Sequence, residues 1–199
     1  MIKHWKHVAV AFTFAFAWAG LAALAAGAAP PSGSATSTAK TSVKLMSDSD
    51  FAKAAAEGGV AEIKFGELAE DKASNKSVKD LGQRMVDDHT RADDNLKNAA
   101  SQENIYLPAQ MNPKDQAAYA RLSQLSGTAF DRAYARDMVR DHEADIAEFR
   151  REANGGKDTL IKGFAAKTLP TLEDHLKLAR QTLQSVSPKA RSQTSKKQS

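Results

Sequence analysis

Two stretches of this sequence set apolar side chains at steps of three and four residues, and each carries a histidine within the stripe. One runs Met85, His89, Ala92, Leu96, Ala99, and the other Met138, His142, Ile146, Phe149, Ala153. This spacing is the period of one helix face and cannot be laid on a strand, whose faces alternate every second residue. Both stripes hold the same short motif, Met85-Val-Asp-Asp-His89 and Met138-Val-Arg-Asp-His142. A partial copy, Leu172-Glu-Asp-His175, falls in a third stripe of Ile161, Phe164, Thr168, Leu172, His175 and Ala179. The remaining two histidines, His4 and His7, lie at the N-terminus. Imidazoles on the apolar faces of three helices are expected inside.

Start and stop signals divide the rest of the chain. Ser47-Asp48-Ser49-Asp50 offers caps for a first helix running to about Ala73, with Phe51, Ala55, Phe65 and Ala69 on one face and Glu62 among them. Gly58-Gly59 interrupts it, as a kink or as a place where another backbone comes close. A second helix is expected over Ser77 to Asn104. Asn112 and Pro113 then open a short helix, Lys114 to Leu125, which Ser126-Gly127 closes. The third long helix, Thr128 to Ala153, ends at Asn154-Gly155-Gly156. The fourth, Asp158 to Val186, is expected to kink near Pro170, which has no amide proton to donate.

Four long amphipathic helices predict an all-α fold, a ferritin-like four-helix bundle over residues 47–186. The connection from Ile105 to Gly127 is too long for a hairpin turn. Its short crossover helix, between long helices two and three, would leave those two running parallel.

The flanks read differently. Lys3 and Lys6, the charge-free run from Val8 to Ala26 and the small residues Ala26-Gly27-Ala28 predict a signal peptide over 1–29, cleaved near Ala28 or Ala29. A periplasmic or secreted protein is expected, with no transmembrane segment after cleavage. Residues 30–46, rich in Ser, Thr and Pro, predict a flexible linker. Residues 187–199 form a basic tail, read as disordered and open to weak contact with the envelope.

Charge excludes one class of partner. Eight of the 28 basic residues lie in leader, linker and tail, leaving 20 against all 24 acidic ones and a net charge of −4 on the helical part. Nucleic-acid binding needs the opposite sign. The chain has no cysteine, so thiolate chemistry and disulfides are excluded as well.

Counting residues from the expected helix ends places Glu62, His89, His142 and His175 within about one turn of one height. Three imidazoles and a carboxylate are ligands that Zn, Fe, Mn or Cu accept. Asp88, Asp141 and Asp174 each precede a histidine and could accept a hydrogen bond from a neighbouring helix's imidazole. Met85 and Met138, one turn before His89 and His142, would suit Cu(I) if they turned to the same centre. The competing reading is a metal-free layer in which the aspartates satisfy core histidines. A ferritin-type di-iron centre needs Glu-x-x-His, and Val86, Val139 and Leu172 occupy the positions where its glutamates would stand. No catalytic residue is expected.

The run Phe51…Glu62-Ile63…Leu68-Ala69, the two Met-Val-x-Asp-His motifs, Phe130-Asp131…Tyr134, and Leu169-Pro170…Leu172…His175-Leu176 resemble an exported bacterial family. It is known as domain of unknown function 4142, whose members often carry an outer-membrane label. The resemblance, over about Asp48 to Ser185, implies a ferritin-like bundle behind a signal peptide and brings no established activity. Nothing in the sequence alternates like a barrel strand. Two functions are expected: an exported binding protein with a transition metal in its histidine layer, or a structural or stress-related envelope module.

Overall fold

A computed structural model describes residues 46–188. The expected signal peptide, the linker up to residue 45 and the tail beyond residue 188 lie outside the described residues. Five helices follow in order: α1 (Asp48–Lys72), α2 (Lys76–Gln102), α3 (Pro113–Ser123), α4 (Gly127–Gly155) and α5 (Thr159–Val186). No strand occurs among the described residues, and no helix there is long and apolar enough to cross a membrane.

Capping chemistry sets most of the starts. The Ser47 hydroxyl accepts from Asp50 N–H, the Asn75 and Asn112 side chains accept from Ser77 and Asp115, and Asp158 accepts from Leu160 and Ile161. Each satisfies amides that the first helical turn leaves free. Gly127 opens α4 at φ 56°, a left-handed conformation that costs glycine nothing and a side chain about 1–2 kcal/mol. α5 runs unbroken through Pro170. Pro170 and Ala166, whose carbonyl loses its amide partner, both face solvent, so water can take that bond.

The long helices pack as α1 on α2, α2 on α5, α5 on α4 and α4 on α1, with little contact across either diagonal. Hydrogen bonds at the two ends fix their directions. At one end Asp131, near the start of α4, accepts from the Ser74 amide at 3.0 Å in the α1–α2 turn. There, too, Ser77 of α2 meets Ser185 of α5 at 2.9 Å. At the other end Asp48, opening α1, accepts from the amides of Lys157 and Asp158 in the α4–α5 turn. Neighbouring long helices are therefore antiparallel, and α2 and α4 run parallel. The connection between them carries α3, which lies against α1 and α4 and buries Leu122.

Gly58-Gly59 does not interrupt α1 and is not a close approach: the helix is continuous through it, and a Cβ at either position would meet nothing within 4 Å. The close approach is two turns further along the same side of α1. A Cβ on Gly66 would stand 2.6 Å from the Gly82 carbonyl oxygen, and one on Gly82 would stand 2.8 Å from that of Gly66. This pair lets α1 and α2 touch backbone to backbone.

The apolar interior is in two parts. One holds Phe65, Leu81, Met85, Phe130, Tyr134, Met138 and Ala179, the other Phe51, Ala56, Leu96, Ile146, Phe164 and Leu172. On α2 the boundary falls between Met85 and Leu96, on α4 between Met138 and Ile146, and on α5 between Leu172 and Ala179. Each interval contains one of the three motif histidines.

Candidate metal centre

His89, His142 and His175 are 7%, 0% and 1% exposed. They come from α2, α4 and α5, and one ring nitrogen of each lies within 4.8 Å of the others. Their ring centroids stand 5.2–5.8 Å apart. The group could hold a metal ion.

Hydrogen bonds decide where the ring protons are. His142 Nδ1 lies 2.9 Å from the Met138 carbonyl, which can only accept, so Nδ1 carries the hydrogen. His175 Nε2 lies 2.8 Å from Asp88 Oδ2 and donates to it. In neutral rings the other two nitrogens, His142 Nε2 and His175 Nδ1, are then both lone pairs, facing each other across 3.2 Å. Only a cation between them, a proton or a metal ion, makes that contact favourable. His89 Nε2 is buried in the same cluster and has no hydrogen-bond partner.

Electrostatics favours neutral rings. Burial holds His89 well below the usual imidazole range, and the neighbouring His142 and His175 add to it. His142 is lowered to about 3 by burial and by His175, although its bond to Met138 works the other way. Burial also lowers His175, and outweighs the opposing pull of Asp88. A proton is thus a poor occupant of the 3.2 Å gap at neutral pH, and the lone pairs are free for a metal.

Asp88 is 6% exposed, and both its oxygens are paired, with Arg84 one turn before it and Arg91 one turn after. Burial pushes its carboxyl up, but the bonds from His175 and Arg84 prevail and hold it below the ordinary value. An ionised Asp88 fixes the His175 tautomer and directs Nδ1 inward. The sequence reading did not single out the two arginines; their spacing of four before and three after Asp88 on one helix was the available signal.

The other candidates lie elsewhere. Asp141 pairs with Arg140 and lines a pocket between α1, α3 and α4 rather than joining the histidines, and Asp174 is exposed. Met85 and Met138 pack in the apolar core beside Phe65 and Tyr134. Glu62 is buried on α1, but its carboxylate does not join the histidine group and lies in a pocket with Asp115 and Asp145. At the histidine level α1 presents Gly58 and Gly59, which share a cleft with His89.

Residues 30–182 match the model of a family described as a domain of unknown function, DUF4142. The chain belongs to the DUF4142 family. No curated protein and no solved structure matches it. For this DUF4142 chain the described helices and the three-histidine cluster carry the functional argument.

Proposed function

We propose that this DUF4142 protein is an exported ferritin-like four-helix bundle that binds one transition-metal ion through His89, His142 and His175. The lone pairs of His142 Nε2 and His175 Nδ1, opposed at 3.2 Å in a buried layer, carry this reading. Two nitrogens on a tetrahedral ion with metal–nitrogen bonds of about 2.0–2.1 Å stand roughly 3.3 Å apart. Three neutral imidazoles without carboxylate or thiolate suit zinc or copper better than manganese. Three protein ligands leave a coordination position open, so the ion can take an exogenous ligand. Asp88 acts on the centre through His175.

Antiparallel neighbours, with α2 and α4 parallel and joined by a helix-bearing crossover, support the ferritin-like assignment. Export rests on the charged start, apolar run and small-residue site of residues 1–29, which precede the family match. Titration of the chelator-treated chain with Zn²⁺ or Cu²⁺ tests the binding. Saturation at about one equivalent is expected, with loss of that site in His142→Ala.

One observation favours a second reading. The chain of contacts from the Met138 carbonyl through His142 and His175 to Asp88 ties α4, α5 and α2 together with no ion. A structural layer of that kind requires one ring to keep an extra proton. Histidine ¹⁵N resonances of the metal-free chain near pH 7 would reveal it as an imidazolium.

A further inference from the structure

The histidine centre has an approach, and that approach is acidic. His89, the most exposed of the three, lines a cleft with Gly58, Gly59, Ala92 and Asp93. Beside it, between α1, α3 and α4, lies a pocket lined by Glu62, Asp115, Asp141 and Asp145. The cleft and the pocket share Ala54, Gly58, Asp145 and Glu148 as lining residues, so they adjoin. Because a Cβ at Gly58 would meet nothing within 4 Å, the junction there is open.

Glu62 makes the pocket more than a patch of surface acids. It is 4% exposed, and its Oε2 is buried without a hydrogen-bond partner. A carboxylate buried without a partner is strongly disfavoured unless it is neutralised by a proton or a cation. Burial raises its pKa well above the usual value, and the charges of Asp145, Asp141 and Asp115 raise it further. The one basic side chain lining the pocket is Lys114, 76% exposed and 3.9 Å from Asp141. Carboxylates therefore outnumber ammonium groups five to one along the wall.

Among the described residues only the three histidines form a group that could hold a bare ion, so these carboxylates do not close on one together. They suit an ion that keeps its waters, as small divalent cations do. The pocket has a volume of about 180 Å³ and is open to solvent on one side. At about 30 Å³ per water, an ion with six waters fits.

We propose that the pocket of Glu62, Asp115, Asp141 and Asp145 binds a hydrated divalent cation and passes it along the cleft to His89. The delivery step rests on the metal reading of the histidines, whereas the binding step does not.

The experiment has two arms on the full chain. In the first, Mn²⁺ is titrated into His175→Ala, which weakens the imidazole centre without touching the pocket, and free Mn²⁺ is followed by its electron paramagnetic resonance. One weak site is expected, with a dissociation constant of roughly 10⁻⁴–10⁻³ M. Adding Glu62→Gln or Asp145→Asn should weaken it at least tenfold; two variants guard against either one misfolding. In the second arm, stopped-flow Zn²⁺ uptake by the wild-type imidazole centre should slow on the order of tenfold in Asp145→Asn at low salt, and the difference should shrink as salt rises. No Mn²⁺ site in the first arm, or one that survives both substitutions, overturns the pocket. Unchanged uptake in Asp145→Asn overturns delivery. A Mn²⁺ site in a chain that takes no Zn²⁺ at its histidines keeps the pocket and sinks the metal reading instead.

Discussion

His142 Nε2 lies 3.2 Å from His175 Nδ1, and each ring has already committed its other nitrogen as a donor. Two neutral imidazoles so arranged repel unless something positive sits between them. The contact is a consequence of the fold: α4 and α5 are antiparallel neighbours, and each turns a stripe histidine into the same layer.

Asp88 should matter to the metal although it touches none. Asp88→Asn removes the charge that fixes the His175 tautomer and leaves Arg84 and Arg91 half unpaired. Metal affinity should fall about 10–100-fold with stoichiometry unchanged, as is usual when a partner of a metal-ligating histidine is lost. Competition with a chromophoric chelator measures it, and wild-type affinity would show that His175 needs no such support.

Glu152 gives the metal-free chain a pH signature. Burial, then the nearby Asp48, raises it to about 7, against 4.5 for an ordinary glutamate. A group raised on folding contributes stability that is complete below its unfolded pKa and is lost as pH climbs through the folded one. The loss should therefore fall between about pH 4.5 and 7. Glu152→Gln should raise the melting temperature more at pH 8 than at pH 5. A difference that does not vary with pH would place the carboxyl in a more ordinary environment.

Glycines on α1 separate close packing from open space. Gly66→Ala drives a methyl into the Gly82 carbonyl and should cost about 1–3 kcal/mol, as overpacking does. Gly58→Ala meets no neighbour and should stabilise by up to about 1 kcal/mol through helix propensity. Urea denaturation of the two variants compares them directly; equal effects would contradict the backbone contact of Gly66 with Gly82.

That register explains what the sequence could and could not tell. The starts of α1 and α3 were legible because Ser47 and Asn112 cap by local chemistry, whereas the Asn75 cap of α2 emerges only in the structure. The inward histidines were legible because the 3.6-residue period puts them in line with Met85, Leu96, Met138 and Ile146. Glu62 was placed at their height by counting from helix ends, a count that ignores how the hairpin closes. Gly66 faces Gly82, so seven residues back along α1 comes Gly59, opposite His89 seven residues on along α2. Glu62 falls about 4.5 Å along the axis from that level, inside the turn the count allowed, and it is the face, not the height, that keeps it from the imidazoles. Nor could the sequence say which aspartate would reach an imidazole. Asp88, Asp141 and Asp174 have the same local setting, and only the packing of α2 against α5 gives Asp88 a partner.

X-ray absorption at the metal edge of the Zn²⁺- or Cu²⁺-loaded chain tests the central claim most directly. Three imidazole nitrogens at about 2.0–2.1 Å are expected, dropping to two in His89→Ala. A shell of oxygens alone, or a chain that takes up no metal, would contradict it.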